Sequence, residues 1–176
     1  KVTLDHNCII HLANRTATGQ QVNAIVRDAQ YDCYVVNIGA SEMLERGVRP
    51  DNYETFENLL RLAEIADIPR LDPLLILDVT FWDRCVWSSA ELDAQADAIY
   101  DVLFGNSSTI DIAAFGLESS EGRQWVNRMC DVQGIWCHLR NANDIFLTTD
   151  DNFRKESKLP KLIALGVGKI LRPGEL

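Results

Sequence analysis

Val2-Thr3-Leu4-Asp5-His6-Asn7-Cys8-Ile9-Ile10-His11-Leu12 joins an apolar strand, a carboxylate and the start of a helix in one short stretch. Val2 to Asp5 reads as a short buried strand, Cys8 to Leu12 as a helical turn. A helix from about Gly19 to Ala29 follows, because Val22, Ile25, Val26 and Ala29 recur at i, i+3, i+4 and i+7. Cys33-Tyr34-Val35-Val36-Asn37-Ile38 is a second strand of β-branched and aromatic residues. Ser41 then caps a helix carrying Glu42, Met43 and Leu44. Strand, helix and strand in this order predict a βαβ unit with a parallel pair.

Outward from this opening, Tyr53 to Ala66 is predicted helical, with Phe56, Leu59, Leu60 and Ala63 on one stripe and Ile68-Pro69 as the stop. Leu74-Leu75-Ile76-Leu77 fits a strand or a buried turn. Trp82, Val86 and Trp87 suggest a further helical turn, and Ala90 to Leu103 a helix ending at Gly105. Residues 49–118 are thus read as a helical cap or arm on the sheet. Packing in the core or on a partner is the favoured reading of Trp87, ahead of stacking on a base. Trp125, Met129, Val132, Trp136 and Leu139 predict a long helix over Gly122 to Arg140. Asp144-Ile145-Phe146-Leu147-Thr148 is the next strand and delivers Asp150 at its carboxyl end. A helix over Leu159 to Leu165, Gly166 as its terminator and a strand Lys169-Ile170-Leu171 close a single α/β domain over residues 1–176.

A composition of 47% hydrophobic and 24% charged residues is that of an ordinary globular domain. No apolar run approaches the roughly 20 residues of a membrane span, and the first residues read as a strand and not a signal peptide. The expectation is a soluble, cytoplasmic protein without a membrane partner. Five scattered cysteines fit buried free thiols. A zinc site from Cys130, Cys137 and His138 with Cys8 and His11 matches no standard spacing. Asn14-Arg15-Thr16 and Asn106-Ser107-Ser108 fit the glycosylation triplet and are read as chance matches. The net charge of -9 is unevenly spread: residues 1–120 carry 8 basic and 19 acidic side chains, residues 121–176 carry 9 and 7. A polyanion would therefore dock near the C-terminal third. Asp93, Asp97 and Asp101 recur every four residues and read as a solvated helix face.

Asp5, Glu42, Asp131 and Asp150 each fall where a strand ends or on a helix leading to that edge. Singly, each has a structural role to hand: Asp5 as a helix cap, Glu42 at a helix N-terminus, Asp150 in a turn. Together they imply a carboxylate cluster at one sheet edge, where open α/β sheets bind ligands. Like charges at short range need protons or a cation. An all-carboxylate set suits Mg²⁺ or Mn²⁺, which activates water and stabilises a leaving oxygen in phosphodiester hydrolysis.

These residues resemble the PIN-domain ribonucleases. Leu4-Asp5-His6-Asn7-Cys8-Ile9-Ile10 looks like the first motif, Ser41-Glu42-Met43-Leu44 the second, and Asp131 with Asn143-Asp144-Ile145-Phe146-Leu147-Thr148-Thr149-Asp150-Asp151-Asn152-Phe153 the third and fourth. Lys169-Ile170-Leu171-Arg172-Pro173-Gly174-Glu175-Leu176 is similar to the closing strand and tail. The resemblance covers about residues 1–47 and 121–176. It implies a three-layer α/β/α PIN-like domain with a central, mainly parallel sheet, and an endoribonuclease using Mg²⁺ or Mn²⁺. Asp5, Glu42, Asp131 and Asp150 would be the catalytic metal ligands, Asn7 would orient Asp5, and Thr148 would support the fourth acid. Asp151 could exchange roles with Asp150. Toxins of the family are dimers silenced by an antitoxin, so a homodimer and an inhibitory antitoxin-like protein join RNA as the implied partners.

Arg123, Arg128, Arg140, Arg154, Lys155 and Lys158 are the basic groups near this edge, with Arg154 and Lys155 the preferred RNA phosphate contacts. A haloacid-dehalogenase-type phosphatase needs an Asp where Asn7 stands. A receiver domain would need Lys169 at the other end of its strand, and nucleophile-elbow and Walker A patterns are absent. The alternative within the fold is a catalytically inactive PIN-like module that binds RNA or protein.

Overall fold

The computed structural model describes residues 1–43, 49–105 and 116–176. Leu44 of the helix expected after Ser41, and the Asn106-Ser107-Ser108 triplet, lie outside the described residues. The elements run β1 (Val2–Leu4), α1 (His6–Ala13), α2 (Ala17–Arg27), β2 (Cys33–Val36), a 3-10 turn (Asn37–Ala40), α3 (Asp51–Leu62) and β3 (Arg70–Leu71). They continue with α4 (Ala90–Phe104), α5 (Ser120–Arg140), β4 (Ile145–Leu147), a 3-10 turn (Asp151–Arg154), α6 (Leu159–Ala164), β5 (Lys169–Leu171) and a last 3-10 turn (Pro173–Glu175).

The strands form one five-stranded sheet in the order β3-β2-β1-β4-β5, and every pair is parallel. Leu4 is in register with Val35 on one side and Leu147 on the other. The chain builds outward from β1 through β2 to β3, then returns to β1's other flank with β4. The strand order therefore reverses between β1 and β4, where a crevice opens at the carboxyl ends of such sheets.

Alternation along the strands divides the core in two. Val2, Leu4, Cys33, Val35 and Leu147 join residues of α1, α2 and α3 on one face, including Phe56 and Leu60, both fully buried. Val36, Phe146 and Ile170 join α4, α5 and α6 on the other, around Trp136, Ile99 and Leu103. Helices thus cover both faces of a mixed α/β domain, as a three-layer α/β/α arrangement requires.

Side-chain caps define the helix starts. Thr16 Oγ1 accepts the Gly19 amide at 3.0 Å and Ser119 Oγ the Gly122 amide at 2.9 Å, each worth about 1 kcal/mol. Gly19 also admits the close approach of α1, since a Cβ there would fall 2.1 Å from the His11 carbonyl oxygen.

Several expectations are corrected. The middle of the chain is not an arm on the sheet: it supplies edge strand β3, and α3 and α4 place Phe56, Leu60, Ile99 and Leu103 in the core. Gln133 on α5 tethers it further by accepting the Leu74 amide at 2.9 Å. Leu74 forms only a bridge to Val86, not a strand. Trp82 and Trp87 are not helical. They lie on the connection before α4, 68% and 71% exposed, with rings edge to face at 5.8 Å. Exposure excludes the core-packing role for Trp87.

Ser41 follows the 3-10 turn after β2 and donates Oγ to the Val79 carbonyl at 2.6 Å; the helix it is expected to cap runs into residues outside the described ones. The zinc set fails on bonding. His138 must donate Nε2–H to the Val167 carbonyl at 2.7 Å, leaving Nδ1 to accept from Thr3 at 2.9 Å. Asn143 Nδ2 in turn donates to Thr3 Oγ1 at 2.8 Å, so His138 is a neutral structural group. Cys8, Cys33, Cys130 and Cys137 are buried free thiols. No described helix is long and apolar enough to cross a membrane.

Candidate functional site

Because β1 and β4 are in register, Asp5 and Thr148 emerge side by side from the carboxyl edge. Asp5 Oδ1 accepts the His6 amide at 2.9 Å, capping α1, and Oδ2 accepts the Thr148 hydroxyl at 2.6 Å. Asn7 stands near enough to lower the pKa of the same carboxyl. The Thr148 hydroxyl also accepts the Asp150 amide at 2.9 Å, and Asp150 Oδ1 accepts the Asn152 amide at 2.7 Å. Both strand-end aspartates therefore cap the segment that follows, as local chemistry favours, and still belong to the edge.

Glu42 arrives from the turn after β2, which Ser41 fixes to Val79 and the Glu42 amide fixes to the Gly39 carbonyl at 3.2 Å. Gly39 is required there: a Cβ would stand 2.8 Å from both His6 Nδ1 and Phe56 Cε2. Asp131 comes from the middle of α5, between buried Cys130 and Val132, so anchoring that face turns its carboxylate toward the strand ends.

Asp5, Glu42, Asp131 and His6 line one cavity of ≈ 10 Å³, floored by Phe146 and Phe153, with room for about one water or ion. Phe146 and Phe153 stack edge to face at 5.3 Å. The apolar floor has an electrostatic consequence. Burial raises Glu42 well above the usual carboxylate range, and the charges of Asp5, Asp131 and Asp150 raise it further. Burial pushes Asp131 up to about 8, with Asp5 and Asp150 adding to it and Lys158 opposing. Burial likewise lifts Asp5 to about 6, against the pull of Thr148, His6 and Asn7, with Asp150 adding to the rise.

The four acids are thus brought into one mutually repelling group. Among the described residues, no three His, Cys, Asp or Glu side chains stand ready-made at the spacing of a metal shell. The cluster is coupled through space without being a preformed cage.

The flanking expectations fare unevenly. Asp151 is turned outward, 70% exposed at its side chain, and paired with Arg172; Asp150, not Asp151, couples to the cluster. Arg154 is not an open phosphate contact, because Nη1 and Nη2 each donate to Glu175 at 2.8 Å. Lys155 is exposed.

Two residues matter more than sequence reasoning allowed. His6 is buried, its Nδ1 has no hydrogen-bond partner among the described residues, and burial lowers its pKa to about 4, so a neutral imidazole lines the cavity. Its only sequence signal was adjacency to Asp5. Lys158 lies within charge range of Asp131 and Asp150, a pairing no periodicity reveals. The chain matches no protein-family model, no curated protein and no solved structure.

Proposed function

We propose that this chain is a PIN-like, metal-dependent endoribonuclease that hydrolyses RNA phosphodiester bonds. The observation that carries this reading is the convergence of Asp5, Glu42, Asp131 and Asp150 at the switch point between β1 and β4, where each anion raises the cost of the next. A scaffold gains nothing from such a cluster, whereas a divalent cation turns the repulsion into attraction.

The donor set fits Mg²⁺ or Mn²⁺ in chemistry: carboxylate oxygens only, with the nearby His6 neutral and Cys130 thiol held protonated by burial. A cation that keeps several waters needs few direct ligands. Asp5, Glu42, Asp131 and Asp150 would hold it. Such an ion, when bound, lowers the pKa of an attacking water and stabilises charge on the leaving oxygen.

The protein's own groups supply position. Thr148 and the His6 amide fix both oxygens of Asp5, and Asn152 fixes one of Asp150. Phe146 and Phe153, both buried, line the cavity with the acids, an apolar wall of low dielectric that strengthens charge interactions there.

The test is incubation of labelled RNA with wild type and Asp5→Asn, with manganese or with chelator. Cleavage that needs manganese and falls at least about 100-fold in Asp5→Asn supports the reading, a loss of the size typical for a group essential to transition-state stabilisation. Metal-independent cleavage, or cleavage unchanged by Asp5→Asn, defeats it. Absent cleavage across a broad RNA pool, with RNA or protein binding retained, favours the inactive module.

A further inference from the structure

One hydrogen-bonded line crosses the edge of the site. Thr148 Oγ1 donates to Asp5, the Asp150 amide to Thr148, the Asn152 amide to Asp150, and Lys158 Nζ to Asn152 Oδ1 at 2.5 Å. Alternate residues of the segment after β4 thus tie the first acid to one lysine. Lys158 is held from a second direction by Phe104, whose ring centroid lies 5.5 Å from Nζ. Its ammonium stands within charge range of Asp131 and Asp150, and Lys155 is close enough to repel it.

Arg128 shares the Phe104 ring, 5.2 Å from its centroid, and donates to the Tyr100 hydroxyl at 3.5 Å, while other cations of this region have different engagements. Arg154 is paired with Glu175 and Arg172 with Asp151; Arg123 donates to the Glu118 carbonyl, and Arg140 lies over the Trp136 ring. Among the described residues no carboxylate makes a direct contact with Lys158, whose hydrogen-bond partner is a neutral amide oxygen. Two mutually repelling ammonium groups at the rim of an acid cluster are stabilised by an anion that bridges them. A phosphodiester reaching the acids would bring that anion to the rim.

We propose that Lys158, with Lys155 beside it, forms a phosphate subsite that takes the backbone of single-stranded RNA next to the bond at the four acids. The subsite rests on the ribonuclease reading for its ligand. It moves the phosphate contact from Arg154 to Lys158. Lys158 is a binding and positioning residue here, and its loss acts on KM more than on kcat.

The test uses fluorescein-labelled single-stranded RNA and the full chain. Affinity is read by anisotropy in calcium over a salt series, and cleavage is read separately in manganese. Lys158→Met removes the charge while keeping an unbranched chain on Phe104; Lys158→Arg restores charge, and Lys155→Met is the independent second variant. Expected for Lys158→Met are roughly 5–20-fold weaker binding and a salt slope reduced by about 0.7, the value for one phosphate contact on a single strand. KM should rise with kcat within about threefold, Lys158→Arg should recover most of the affinity, and Lys155→Met should lose less.

Unchanged affinity and slope in both methionine variants overturn the subsite; if wild type still cleaves RNA, the ribonuclease reading survives alone. Lys158-dependent binding without cleavage supports the subsite and sinks the catalytic reading. Failure of wild type to bind RNA overturns both.

Discussion

Thr148 donates its hydroxyl to Asp5 across the β1–β4 seam at 2.6 Å, joining residues 143 positions apart in the chain. The same oxygen accepts the Asp150 amide, so its proton is committed to Asp5. Thr148→Val should therefore remove a donor from a half-buried carboxylate, at about 1–3 kcal/mol. It should also raise the Asp5 pKa, because this bond holds it down. In the manganese assay the acid limb of the pH–rate profile should move to higher pH, with activity near neutrality down roughly tenfold. Thr148→Ser should behave nearly as wild type. A pH profile unmoved by Thr148→Val would show that this bond does not set the state of Asp5.

The acids make a prediction for the protein in chelator. The folded values of Asp131, about 8, and of Glu42, well above the usual range, exceed those of unfolded chains near 4. Their contribution to stability is complete below pH 4 and is lost as pH rises through the folded values. His6 and His138 have lowered values and act oppositely, but only below about pH 6.5, where the unfolded chain takes up their protons. Between pH 6.5 and 8.5 the acids therefore dominate, and urea denaturation should find stability falling. Asp131→Asn should flatten that fall. Stability that rises over this window, or an identical slope in the variant, would contradict the coupling.

Asp150 and Asp151 should separate cleanly. Asp150→Asn keeps an oxygen to accept the Asn152 amide, so folding should survive while manganese-dependent cleavage drops about 100-fold or more. Asp151→Asn weakens only an exposed, solvent-screened pair with Arg172. Its cleavage rate should stay within about twofold of wild type. The reverse ranking in steady-state rates would assign the fourth acid to Asp151.

Gly39→Ala should crowd His6 Nδ1 and Phe56 together, since the new carbon meets both at 2.8 Å. Overpacking of this kind costs about 1–3 kcal/mol, which lowers the melting temperature roughly 2–12 °C for a chain of this size. Cleavage should fall as well, because the Glu42 amide hangs from the Gly39 carbonyl. A melting curve superimposable on wild type would mean that the turn relaxes freely.

Strands and their acids were legible because local signals agreed with the fold. Val2 to Leu4, Ile145 to Leu147 and Lys169 to Leu171 are short, mostly apolar runs with Asp5, Asp150 or Pro173 within three residues of their ends, and Trp125 to Leu139 carries one strong helical stripe. The middle of the chain is less legible for a physical reason. The two-residue β3 is too short to have a period, and α3 and α4 bury their stripes on opposite faces of a sheet that sequence spacing cannot locate. Exposed Trp82 and Trp87 broke the expectation that large aromatics go inside. At the site, Asp5 and Asp150 are legible through strand-end position, whereas Asn7 and Thr148 are singled out only by the family resemblance. Pairings such as Arg154 with Glu175, Asp151 with Arg172 and Lys158 with Asn152 depend on how the last turns fold back, and no spacing encodes that.

The central claim is that four carboxylates from four different segments act as one cation site. Manganese titration by calorimetry, on wild type and on Asp5→Asn, Glu42→Gln, Asp131→Asn and Asp150→Asn in turn, tests it most directly. The expected result is saturable binding to wild type that each single change weakens by at least about tenfold, with the folded signal retained. No saturable binding to wild type, or variants that bind manganese as wild type does, would contradict it.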